Sequence, residues 1–215
     1  MIIRIDLKIF LMLILFYFTK QVKIYSIIMI FAIIHELSHL CAGLVLKMKI
    51  KRITIMPIGL SIEFKVPYKD LNSKLLRSNK LEFKKIFIAV AGPLINIAII
   101  FIIILLNINN ELKNLIIYSN LLIALFNLVP IYPLDGGRIL KSILNLLKGK
   151  RKSETIINRV SNIFLFLIIF VFSILIYYLK NISILFIMIY LLYLVTRENK
   201  IHRMKMQMYK IIDEG

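Results

Sequence analysis

The chain has 215 residues, 60% of them hydrophobic, and a mean hydropathy of +0.86. That is more apolar surface than a soluble core of this size can hide, which excludes a soluble enzyme and implies a polytopic membrane protein. The net charge of +18 does not argue for nucleic acid, because basic residues beside apolar spans set topology and attract anionic lipid head groups.

From the N-terminus, Arg4 and Lys8 precede an apolar stretch at Ile9 to Phe18, as in a signal peptide, but no small-residue cleavage site follows. It reads as an uncleaved first span. The apolar runs place six spans at roughly residues 5–19, 24–46, 86–106, 115–132, 160–179 and 182–196. Between the second and third, Ile62, Phe64 and Val66 alternate with Ser61, Glu63 and Lys65 after Pro57 and Gly59, the pattern of a short hairpin at the membrane surface. The lone cysteine, Cys41, rules out disulfide stapling and is expected to be a small buried hydrophobe. The expected fold class is an all-α polytopic membrane protein of about six transmembrane helices with a short membrane-surface β-hairpin.

With the N-terminus in the cytoplasm, 25 of the 29 Lys and Arg fall on the cytoplasmic side, and only Lys20, Lys23, Lys113 and Lys180 lie outside. The positive-inside rule therefore places both termini in the cytoplasm. Residues 1–196 are expected to form one six-span core. Residues 197–215 are expected to form a basic amphipathic cytoplasmic tail on anionic lipid, with Ile201, Met204, Met208, Ile211 and Ile212 at helical spacing. No CBS or PDZ domain is expected.

Residues 35–39 read HELSH inside the apolar run IIMIFAIIHELSHLCAGLVL. Histidines four apart share one helical face, so His35 and His39 can hold the same zinc ion while Glu36 reaches its water as a general base. A pair of core histidines with a structural glutamate is the bland alternative, and it fits poorly where ionisable groups in a span are expensive. Two imidazoles leave a catalytic zinc one protein ligand short. Asp135 is the best supplier: it lies in NLVPIYPLDGGRIL, where Pro130 and Pro133 interrupt the fourth span and Gly136 and Gly137 permit a tight turn. His39 lies about 10 Å of helix from the cytoplasmic end of its span, and Asp135 ends a span that also points inward. Both halves of the site thus fall in the cytoplasmic leaflet.

HELSH, the loop IMPIGLSIEF, AGPLIN at 91–96 and NLVPIYPLDGG at 127–137 occur in the order seen in the site-2 proteases, the M50-type intramembrane zinc metalloproteases. The chain resembles that family over nearly its whole length, most of all its sporulation type. The resemblance implies His35, His39 and Asp135 as ligands of one zinc ion and Glu36 as catalytic base. It matches Asn127 to a family asparagine that contacts substrate or a developing oxyanion, with a helix-helix hydrogen bond as the alternative. It assigns Gly92 and Pro93 to close helix packing. It also implies a membrane-associated sigma-factor precursor as substrate, inhibitory membrane partner proteins and a place in the bacterial cell membrane, on the mother-cell side of the forespore. Rival readings are a site-2 protease acting on an anti-sigma factor or signal-peptide remnants, a non-catalytic membrane scaffold, and a metal transporter. The hairpin either receives an extended substrate by strand addition or merely closes the site.

Overall fold

The computed structural model describes residues 2–5, 17, 22–56, 59–65, 75–180 and 182–214. These form β1 (Ile2–Ile5), α1 (Val22–Val45), β2 (Lys49–Met56), β3 (Gly59–Lys65), α2 (Leu75–Leu105), α3 (Asn110–Leu128), α4 (Asp135–Lys148), α5 (Lys150–Leu179) and α6 (Ile182–Glu214). The chain divides into two compact units, Met1–Leu128 and Val129–Gly215.

In the first unit α1, α2 and α3 pack pairwise against one another. Their buried faces are built from small and polar residues: Ala32, Ala42 and Gly43 on α1, Ala89, Gly92 and Asn96 on α2, Ser119, Asn120 and Ala124 on α3. Small side chains let backbones approach closely, which is how helices associate where lipid offers no hydrophobic contrast. The outward faces carry Ile30, Leu44, Phe87, Phe101, Ile102 and Leu122, all exposed. Between α1 and α2 the chain forms a sheet of order β1-β2-β3, with β2 and β3 antiparallel and β1 parallel to β2. Phe64 of β3 rests on Gly43 and joins the cluster of Ala42, Met48, Leu81 and Ile88, so the hairpin is pinned one turn beyond His39.

The second unit is α4, α5 and α6. Glu154 of α5 pairs with Lys141 of α4 at 2.8 Å and Lys205 of α6 at 2.9 Å, tying the three helices together. Asn162 and Asn199 exchange amide hydrogen bonds between α5 and α6 at 3.2 and 2.9 Å. Leu191 and Val195 fill the apolar core beside them.

Among the described residues, three helical segments, Val22–Val45, Asn79–Leu105 and Lys150–Tyr178, are long and apolar enough to cross a membrane. They coincide with the second, third and fifth expected spans. The first expected span lies almost wholly outside the described residues, but its expected first residue, Ile5, belongs to a strand. The fourth expected span, 115–132, corresponds to α3, which begins at Asn110 and stops at Leu128. Pro130 disfavours helical geometry at the residue before it, so the helix ends there. The hairpin is larger than the alternating patch suggests, since β2 and β1 are added to it. Cys41 is exposed on α1 rather than buried, because the face packed on α2 is the one carrying His35, His39, Ala42 and Gly43.

Candidate metal centre

His35 and His39 lie one turn apart on the buried face of α1, at 2% and 3% exposure. Their rings stand edge to face with centroids 4.8 Å apart, and the two Nε2 atoms approach to 3.2 Å. The opposite nitrogens are both engaged. His35 Nδ1 lies 2.5 Å from Asn96 Oδ1, and His39 Nδ1 lies 2.6 Å from the carbonyl oxygen of Ile88. Both partners are oxygens that accept, so both Nδ1 atoms donate, and in the neutral imidazoles it is Nε2 that keeps its lone pair, each facing the other. Two such lone pairs at this separation repel unless a proton or a metal ion lies between them. Zinc fits: at a zinc–nitrogen distance of about 2.0–2.1 Å, two tetrahedral ligands stand about 3.3 Å apart.

Gly92 makes room for this arrangement. A Cβ at that position would lie 2.5 Å from both Cε1 and Nε2 of His39 and 2.6 Å from Cε1 of His35, so only glycine lets the rings occupy the space against α2. The packing role expected of Gly92 is therefore the accommodation of the imidazoles. Pro93 gives α2 no donor for the carbonyl of Ala89, so it disturbs the helical turn whose neighbouring carbonyl, Ile88, His39 uses.

Glu36 follows His35 on α1 and is half-buried. Asn127, near the end of α3, is half-buried and donates from Nδ2 to the carbonyl of Ile123 at 3.0 Å, one turn back along its own helix. In the second unit, Asp135 is 4% exposed and begins α4. A buried anion at a helix N-terminus is stabilised by the unpaired N–H groups there. Arg138, one turn on, approaches Asp135 Oδ1 at 3.6 Å. The glycines after Asp135 do not make the expected tight turn. They continue the first turn of α4, and Gly137 is needed because its Cα lies against the Ile131–Tyr132 backbone. Ile131 is fully buried, and Tyr132 N–H donates to Ser161 Oγ at 3.0 Å, which fixes the segment entering α4.

Sequence reasoning missed Asn96, Asn120 and the carbonyl of Ile88. For the asparagines a signal existed, since an amide inside an apolar helix needs a partner. For a backbone carbonyl none does.

Residues 23–111 and 107–171 match the sequence profile of Peptidase family M50. The chain belongs to that family. An M50 chain that is 29% identical over 141 residues is the zinc metalloprotease MJ0392 of Methanocaldococcus jannaschii, where the match covers 62% of this chain and 38% of the relative. The stage IV sporulation protein FB of Bacillus subtilis is 32% identical over 126 residues, covering 57% of this chain and 40% of the relative. This M50 chain thus spans well under half the length of either relative. The solved structure of the site-2 protease from Methanocaldococcus jannaschii superposes with a TM-score of 0.64 at 23% identity, covering 91% of this chain and 89% of that one, so the two share a fold.

Proposed function

We propose that this M50 chain is an intramembrane zinc metalloendopeptidase that cleaves a membrane-associated protein, with a sporulation sigma-factor precursor as its substrate. The convergence of two Nε2 atoms at 3.2 Å, each imidazole held from behind through Nδ1, carries the reading. His35, His39 and Asp135 are the proposed ligands of one zinc ion: each is buried and each offers one ligand atom. Two imidazoles and a carboxylate leave a fourth position for water.

A zinc ion held there would supply Lewis acidity and lower the pKa of its bound water toward neutrality. Glu36 takes the proton of the attacking water and returns it to the leaving amine. Asn127 is proposed to turn its amide toward substrate or a developing oxyanion during the reaction. A helical substrate has its amides already hydrogen-bonded, so the cleaved segment must be extended. Among the described residues β3 is an edge strand that pairs only with β2, which suits it to receive such a segment by strand addition. The remaining elements of the proposal come from the sequence: a core of six spans within 1–196, a basic tail at 197–215 on anionic lipid, both termini in the cytoplasm and inhibitory membrane partners.

Co-expression with membrane-tethered sigma-factor precursors tests the proposal. Wild type should shorten the precursor, whereas Glu36→Gln should leave it intact while still holding one zinc per chain. A precursor shortened equally by both would refute the role of Glu36, and a Glu36→Gln chain without zinc would make the carboxylate a ligand rather than a base.

A further inference from the structure

Resting on the zinc reading above, we infer that Asn96, oriented by Asn120, is a positioning residue that fixes the metal-binding tautomer of His35. Both asparagines are fully buried, and they join α2 to α3 and then to α1 in one directed chain of hydrogen bonds. The chain starts at the carbonyl of Ile116, which can only accept. Asn120 Nδ2 donates to it at 2.9 Å. Asn120 therefore turns its Oδ1 toward Asn96, whose Nδ2 donates to it at 2.8 Å. That leaves Asn96 only its Oδ1 to present to His35 Nδ1, at 2.5 Å. The nitrogen facing an acceptor must hold a proton, so in the neutral ring Nε2 is the one left to bind a metal, and it faces Nε2 of His39.

Each link has one orientation because the first partner is a backbone oxygen. Flipping the Asn96 amide would set its NH2 against the Nδ1–H and also leave Asn120 Oδ1 without a donor, and each buried group left unsatisfied costs about 1–3 kcal/mol. Two asparagines between helices also serve as polar glue, and that role accounts for the Asn96–Asn120 bond. It does not account for the third link, from Asn96 to His35. The two histidines differ here: His39 rests on a main-chain carbonyl that no substitution removes, whereas His35 depends on a side chain 61 residues away.

The test uses the full chain in nanodiscs, with 15N-labelled histidine spectra of the metal-free protein and zinc affinity measured by competition with a chromophoric chelator. Wild type should show His35 protonated at Nδ1. Asn96→Leu should populate the Nε2–H form and weaken zinc by about 10- to 100-fold, the range for losing an outer-shell partner of a metal-bound histidine. Asn96→Asp still offers an oxygen to Nδ1, and Asn120 can turn its own Nδ2 onto the carboxylate, so this variant should keep the wild-type tautomer with affinity within a few-fold. Asn120→Leu should weaken zinc when residue 96 is asparagine but not in the Asn96→Asp background, where a carboxylate presents oxygen whichever way it turns. Wild-type affinity and an unchanged spectrum in Asn96→Leu would overturn the inference. So would an Asn96→Asp variant that loses the Nδ1–H tautomer and about 10-fold or more in zinc affinity relative to wild type, a comparison that holds even if the leucine variant misfolds. A wild-type chain that binds no zinc but shows the Nδ1–H tautomer would refute the zinc reading and leave the relay standing.

Discussion

Replacing Gly92 with alanine probes the crowding on which the metal centre depends. The new Cβ would sit 2.5 Å from two atoms of His39 and 2.6 Å from one of His35, where ordinary contact begins at 3.4 Å. One ring, or the α2 backbone, must then retreat by about 0.9 Å. Neither ring yields easily, because His35 is tied to Asn96 and His39 to Ile88. Metal–ligand distances hold to within about 0.2 Å, so a shift several times larger breaks at least one zinc–nitrogen bond. Overpacking itself costs about 1–3 kcal/mol, enough to strain the helix pair without unfolding it. We expect zinc affinity to fall about 100-fold or more while helix content and membrane insertion persist. Dialysis against graded chelator followed by elemental analysis measures this, with Leu94→Ala as the control, since Leu94 lies exposed on the same helix. A Gly92→Ala chain that holds zinc like wild type would show that the bound rings do not lie where the structure has them.

Asp135→Asn should weaken both zinc binding and cleavage, because a neutral amide replaces an anionic ligand poorly; full zinc content and turnover in that variant would require a different third ligand. Reporters fused after Lys74, Lys113, Lys150 and Lys180 should read cytoplasmic, outside, cytoplasmic and outside, and a cytoplasmic signal at Lys113 would contradict the charge-based orientation. Burial pushes the Glu198 carboxyl above the usual carboxylate range, against the pull of Arg197, Lys141 and Lys205, with Glu154 adding to the rise. The folded chain thus holds that proton more tightly than the unfolded one, and the ionised form burdens the fold above the raised pKa. Glu198→Gln should raise the thermal midpoint at neutral pH, with the gain vanishing as pH falls to about 4; a gain that grows on acidification would reverse the sign of the argument.

Much of the metal centre is legible in the chain because its geometry is local. Residues i and i+4 of any helix share a face, so HELSH in an apolar run already sets two imidazoles one turn apart with a glutamate beside them. The cost of ionisable groups in a span likewise marks these residues as candidates. Strand signals were weaker, for a local reason: the register of β2 shifts between Ile50 and Arg52, so the bulge breaks the alternation that would have marked KIKRITIM as a strand. The parallel pairing of β1 joins residues about fifty apart and leaves no pattern in either segment. Hydropathy also does not mark the first turns of α2, because LLRSNKLEFKK is charged yet helical.

The sequence by itself determined that the chain is a membrane protein and that two imidazoles share one face of a helix with a glutamate between them in sequence, since composition and helical period fix those directly. Only the tertiary structure decided what lies behind each imidazole. Asn96 and the Ile88 carbonyl reach α1 from 61 and 49 residues away, Asn120 orients Asn96 across another 24, and Gly92 matters only because α2 packs where it does. The physical reason is that a histidine's tautomer is set by whatever acceptor the fold brings to its second nitrogen, and no spacing along one helix specifies a partner on another.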